Sequence, residues 1–185
     1  MTKARQNKRG FTLIEMLLVI VIIAILVALL FPAIKQALLR AETAKAKTTV
    51  LSITTAFKAF NSQYGYWPLN AAAGAQAVNI DPTTGLFSSA AGNSLNLTFL
   101  DYSQKDIDSG KNILDPWKRP YRVAFDTTYV NSIANPFSSG TPATIANGVI
   151  VWSCGPDGFC SDSLDTSLGG GGAASTDLDN ITSWQ

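Results

Sequence analysis

The chain has 185 residues, 14 basic and 13 acidic side chains, a formal charge of +1 and no histidine. That near-neutral sum excludes an overall charge suited to gripping nucleic acid, and no nucleic-acid partner is expected. The missing imidazole removes the commonest general acid-base and the commonest metal-binding nitrogen, so a metal would have to be held by oxygen or sulfur.

The charges are unevenly placed. Lys3, Arg5, Lys8 and Arg9 make the first ten residues purely basic; removing those four from the basic count leaves 10 against 13 acidic side chains. After Arg122 there is no Lys or Arg, while Asp126, Asp157, Asp162, Asp165, Asp177 and Asp179 follow. A basic start and an acidic end point to different tasks for the two ends.

Phe11 to Phe31 is apolar except for Thr12 and Glu15. As a helix it would extend roughly 32 Å, enough to cross a hydrocarbon layer of about 30 Å. The run exceeds that of a secretory signal and continues into helix-like sequence, so a single membrane span is expected. Glu15 is costly in such a span and invites a functional pairing, although a carboxylate near the headgroups could instead snorkel to water. Cleavage after Gly10 would supply a partner, the new ammonium group on Phe11, within the chain or from a neighbouring copy. Lys35, Arg40, Lys45 and Lys47 follow the span, offset by Glu42, so the positive-inside rule gives a weak preference for a cytoplasmic amino terminus.

The stretch Lys8-Arg9-Gly10-Phe11-Thr12-Leu13-Ile14-Glu15-Met16-Leu17 resembles the processing site of type IV pilins and type II secretion pseudopilins. The resemblance implies that a prepilin peptidase cuts between Gly10 and Phe11 and methylates the new amino group. It also implies that Glu15 pairs with the amino terminus of an adjacent subunit during assembly. Pro32 sits where the family commonly has a helix-perturbing proline.

Beyond Pro32, Ala46, Val50, Ile53, Phe57, Phe60 and Tyr64 recur at helical spacing, predicting one apolar face that packs on its own domain. Gly65 and Pro68 predict the end of a helix that starts near Phe11 and reaches about Gln63. Asn70 to Leu97 is rich in small and polar residues and reads as a long loop or insertion, with room for short structure of its own. Tyr121 to Phe125 and Gly148 to Trp152 read as strands of a hairpin, with Asp126 to Asn147 as a long connection.

Asp115, Pro116, Trp117, Pro120 and Tyr121 resemble the Asp-Pro-Trp-Gly-Asn-Pro-Tyr motif of the major pseudopilin of type II secretion, with Lys118 and Arg119 replacing Gly-Asn. These residues are read as fold-stabilising. The tail from Ser153 to Trp184 carries Asp157, Asp162, Asp165, Asp177, Asp179, Asn180 and the glycines Gly169 to Gly172. Oxygen ligands without histidine suit calcium, and a solvated acidic loop is the alternative. The frame Gly155-Pro156-Asp157-Gly158 and Ile181-Thr182-Ser183-Trp184 resembles the calcium loop of the same family, which implies Asp157, Asp177, Asp179 and Asn180 as the ligand set. Cys154 and Cys160 flank Asp157; a disulfide between them would hold that residue in place.

These elements and the resemblance predict an α+β fold, with a long N-terminal helix whose first half is transmembrane. Its second half packs on a small antiparallel β-sheet head that ends in an acidic loop. The expected divisions are a leader at 1–10, a membrane or filament-core helix at 11–31, an amphipathic helix at 32–64 and a head at 65–185. No nucleophile–base constellation is present, so an enzyme is not expected. The resemblance implies a pseudopilin of a type II secretion system, held in the bacterial inner membrane with its head in the periplasm. Its partners would be prepilin peptidase, further copies of itself, minor pseudopilins and the inner-membrane assembly platform. The alternatives are a type IV pilin for adhesion, motility or DNA uptake, and a membrane-tethered calcium-binding module that does not polymerise.

Overall fold

The computed structural model describes residues 11–72, 74–137, 142–158, 160 and 179–184. The basic leader with Gly10, and the tail residues Asp162, Asp165, Gly169 to Gly172 and Asp177, lie outside the described residues. The chain divides into two compact units, 1–41 and 42–185, and the division falls inside the first element.

That element, α1, is a single helix Leu13–Tyr64 that runs through Pro32. Proline removes one backbone donor and crowds the carbonyl four residues back, so it weakens the ladder locally without ending the helix here. From Leu13 to Leu39 the large apolar side chains are exposed. The helix is long and apolar enough to cross a membrane, and its most apolar window is unburied. In the 42–185 unit the pattern becomes one-sided: Ala46, Val50, Ile53, Ala56, Phe57 and Phe60 are buried. Tyr64, the last residue of the predicted face, is half-buried. Hydroxyls of Thr48, Thr49, Ser52, Thr54 and Thr55 each donate to the carbonyl four residues back, which satisfies them within this hydroxyl-rich stretch. Gly65, at φ +79°, closes the helix by donating its N–H to the Asn61 carbonyl at 2.7 Å.

The remaining strands are β1 (Gln76–Ala77), β2 (Arg122–Phe125), β3 (Ile133–Ala134), β4 (Thr144–Ile145), β5 (Val149–Ser153) and β6 (Ile181–Thr182). A four-stranded antiparallel sheet has the order β1-β2-β5-β6, and β3 and β4 form a separate two-stranded ribbon. The predicted hairpin is the centre of the sheet, with Val123 opposite Val151 and Phe125 opposite Val149. Its long connection carries the β3–β4 ribbon, which the sequence reading left unstructured.

Side chains alternate across the two central strands. Val123, Phe125, Val149 and Val151 join Val50, Ile53 and Phe57 of α1 in one core. Ala124, Ile150 and Trp152 join Ile133, Phe137 and Ile145 in a second core. Burial on both faces explains why β5 is apolar at every position from Val149 to Trp152. The segment 70–97 is more than a loop: Val78, Ile80 and Leu86 enter the first core, and Ser89–Ala91 forms a 3-10 turn. Tyr121 is buried at the entry to β2, its hydroxyl bonded to the Thr49 side chain on α1. Burial pushes that phenol up from its ordinary value.

Candidate processing end and acidic loop

Glu15 lies in the first turn of α1, and Phe11 precedes the helix. Thr12 donates both its backbone N–H and its hydroxyl to Glu15 Oε2, each at 2.8 Å. The Glu15 N–H donates back to Thr12 Oγ1 at 3.3 Å. This is a reciprocal capping box, with Thr12 before the first turn and Glu15 three residues on. The Thr-x-x-Glu spacing could have revealed it in the sequence. The box gives the carboxylate local donors at the amino-terminal end of the helix, where Phe11 is exposed. Gly10, the other processing residue, lies outside the described residues.

The second site begins in the Asp-Pro-Trp segment. Asp115 is buried, and its Oδ1 accepts the N–H groups of Trp117 at 3.0 Å and Arg119 at 2.8 Å. Its backbone closes the same turn, donating to the Arg119 carbonyl at 2.7 Å and accepting from the Lys118 N–H at 3.0 Å. Its Oδ2 accepts the Ser153 hydroxyl at 2.6 Å, and Ser153 Oγ in turn accepts the Gly155 N–H at 3.2 Å. Burial pushes the Asp115 carboxyl above the usual aspartate range; the bonds from Ser153, Arg119 and Trp117, and the Arg119 charge, act against that. Asp115 therefore ties the turn to the exit of β5, a link absent from the sequence reading.

Lys118 occupies this turn at φ +69°, where the resembling motif has glycine. A side chain in the left-handed region costs about 1 kcal/mol, partly offset by the greater freedom glycine has when unfolded. Lys118→Gly should therefore stabilise the protein by roughly 0.5 kcal/mol, read as a higher urea midpoint at unchanged slope. A lower midpoint would mean that the Lys118 side chain contributes more than its backbone strain removes.

Beyond Ser153 the chain turns through Gly155-Pro156-Asp157-Gly158, with the Gly158 N–H donating to the Gly155 carbonyl at 3.2 Å. Gly155, at φ +68°, lies against the Asp179 backbone; a Cβ there would come within 2.4 Å of the Asp179 carbonyl oxygen. Only glycine suits both the conformation and the contact. The Asp157 N–H donates to Asp179 Oδ2 at 3.3 Å. Cys154 and Cys160 form a disulfide that closes this loop, with a Cα–Cα distance of 5.2 Å. Both cysteines are buried in the second core, and Cys160 Sγ lies 3.8 Å from Asn180 Oδ1. Closing so short a loop reduces unfolded-state freedom by an amount worth about 2 kcal/mol in the chain-entropy account.

Asp157, Asp179, Asn180 and the disulfide are thus brought together, and Asp177 lies outside the described residues. Calcium requires about six to eight oxygens. Here one oxygen of Asp179 already accepts an amide proton, and Asn180 Oδ1 faces the disulfide sulfur. Among the described residues no group of three or more His, Cys, Asp or Glu side chains could hold a metal ion. These residues do not by themselves form a calcium cage.

The prokaryotic N-terminal methylation motif matches residues 5–31. The chain is 38% identical over 92 residues to the fimbrial protein EcpC of Eikenella corrodens, a match that covers 49% of this chain and 60% of that protein. No solved structure is significantly similar to the chain.

Proposed function

We propose that this chain, which matches the N-terminal methylation motif over residues 5–31 and is similar to a fimbrial protein, is a type IV pilin-like filament subunit of a type II secretion pseudopilus. Prepilin peptidase removes the leader at Gly10 and methylates Phe11. The mature chain waits in the membrane through the apolar part of α1 and then packs by that same surface against further copies. The observation that carries this reading is the methylation motif leading directly into an apolar helix in which Glu15, the one acidic residue between Phe11 and Phe31, accepts two hydrogen bonds from Thr12 at the helix start. The likeness of Asp115 to Tyr121 to the major-pseudopilin motif supports secretion over display. Similarity to a fimbrial protein favours a second reading, a type IV pilus subunit exposed at the cell surface.

Mass spectrometry of protein isolated from its native membrane should find N-methylated Phe11 as the first residue. A chain still carrying Met1 to Gly10, in cells with active prepilin peptidase, would overturn the filament reading. With processing established, loss of protein export on deletion supports the pseudopilus; loss of sheared surface fibres with export intact supports the pilus.

A further inference from the structure

Residues between Ile80 and Tyr102 line a cleft of about 200 Å³. Its apolar wall includes Phe87 and Phe99, whose ring centroids are 6.1 Å apart and whose planes differ by 26°. Both rings are seated on α1: Phe87 stacks on Phe57 at 4.6 Å, and Phe99 leans on Phe60 at 5.3 Å. The polar wall includes Asp81, Asn96, Thr98 and Tyr102. The volume is below the roughly 300–1,000 Å³ of drug-sized sites, which leaves room for one ring-sized group.

The polar groups are held in place yet left uncommitted. Asp81 Oδ1 accepts the amides of Thr83 at 2.8 Å and Thr84 at 3.0 Å, together with both threonine hydroxyls. All of these end on the same oxygen, and among the described residues none donates to Oδ2. The Thr83 and Thr84 donors hold the carboxyl down at about 2, so it is charged at any working pH. Asn96 sits at φ +49°, a conformation that asparagine tolerates. Its turn is fixed by buried Asn93, whose carbonyl accepts the Asn96 N–H at 3.1 Å. Asn93 Oδ1 takes the Tyr64 hydroxyl at 2.7 Å and the Leu97 amide at 2.9 Å, and its side-chain amide reaches the carbonyls of Phe87 and Leu97, each at 2.8 Å. The side chains of Asn96, Thr98 and Tyr102 make no hydrogen bond among the described residues. Neither the filament reading nor the Asp115 turn uses any of these groups.

The chemistry of the lining narrows the ligand. One free carboxylate oxygen is far short of the oxygens a hard divalent cation takes, and its fixed charge repels an anion. An amide and hydroxyls can both donate and accept, whereas the carboxylate only accepts. A ligand that meets them all carries several hydroxyls, and the rings of Phe87 and Phe99 call for an apolar face on the same ligand. A pyranose has both, hydroxyls around its rim and a face of C–H groups. We propose that this cleft binds a neutral sugar ring, with Asp81 Oδ2 accepting from its hydroxyls, Asn96 and Tyr102 bonded to neighbouring ones, and the phenylalanine rings against its C–H face. Because Asp81 and the Asn96 turn are fixed before the ligand arrives, little ordering is lost on binding. This inference goes beyond the filament reading and holds for a pseudopilus or a pilus alike.

The test is saturation-transfer NMR on the full chain in a detergent that carries no sugar. The probes are a panel of neutral methyl pyranosides and, separately, methylammonium, a cation that would also suit Asp81. At least one pyranoside should bind with a Kd of about 1–10 mM, the range open to a few hydrogen bonds and one apolar face. Asn96→Ala and Tyr102→Phe should each weaken that binding about fivefold while leaving Tm within about 1 °C, since neither group bonds within the chain. Asp81→Asn, which keeps the shape but loses the charged acceptor, should weaken it about tenfold. Methylammonium bound with every pyranoside unbound makes this a cation site and overturns the proposal. So does the absence of any pyranoside binding at about 50 mM. Sugar binding that survives all of these substitutions places the ligand elsewhere on the chain and overturns it as well.

Discussion

Asp115→Ala should lower the stability of the protein by about 3 kcal/mol, because it strips the acceptor from three donors at once. The amides of Trp117 and Arg119 and the hydroxyl of Ser153 all end on this buried carboxylate. Alanine also frees Ser153 to turn away from the Gly155 N–H, so the damage reaches the acidic loop. Asp115→Asn keeps Oδ1 for the two amides and offers an N–H toward Ser153 Oγ, and its cost should be no more than about 1 kcal/mol. Urea unfolding of the three proteins reads the difference. Equal losses for Ala and Asn would mean that the charge, not the acceptor geometry, matters.

The pH dependence separates the wild type from both variants, since neither carries the titrating carboxyl. The folded-state pKa of Asp115 is raised by burial above the ordinary aspartate value. A raised acid contributes stability that is fully present below the unfolded pKa, near 3.8, and is lost as pH climbs through the folded pKa. Asp115→Asn removes that dependence. Its stability relative to the wild type should improve as pH rises through the range just above 3.8. A constant difference across that range would show that Asp115 titrates as it does in the unfolded chain.

Phe57→Ala should be the most damaging single change in the 42–185 unit, at about 4 kcal/mol. Phe57 is fully buried on α1, stacked on Phe87 at 4.6 Å and edge-on to Phe125 at 4.9 Å. It joins three separate parts of the chain: the helix, the 70–97 segment and the central sheet. Removing the ring leaves a cavity that two rigid aromatic neighbours cannot close. For a unit of this size the Tm should fall by roughly 10–15 °C in calorimetry of the full chain. Phe57→Leu should cost about 1.5 kcal/mol, and Leu51→Ala, on the exposed side of the same helix, within about 0.5 kcal/mol. A fall in Tm of only a few degrees for Phe57→Ala would mean that Phe87 moves in to fill the space.

The helix and the central hairpin were legible because their signals are periodic. Ala46 to Phe60 repeats at helical spacing over several turns, and Val149 to Trp152 is an unbroken apolar run. The outer sheet was not legible. β1 and β6 have two residues each, too few to show alternation, and Val78, Ile80 and Leu86 stand among small polar residues that read as loop. The methylation motif over residues 5–31 was recognisable from a compact local pattern. The organisation of the acidic loop was hidden, because its supports come from Asp115 and Arg119, far away in sequence from Gly155 and Asp179. The role of Asp115 depends on a partner 38 residues distant, which no local spacing announces.

The shortness of β1 and β6 also bears on how the chain, in the proposed filament, avoids the wrong product. A sheet edge with a long row of unpaired amides and carbonyls can template stacking with another copy and end in amyloid-like ladders. In this sheet β1 and β6, the strands at the two ends of the order, are two residues long. Too few backbone groups are on offer there to hold a foreign strand. In the proposed filament, crowding that favours association through the apolar helix would therefore give little opening to irreversible strand exchange.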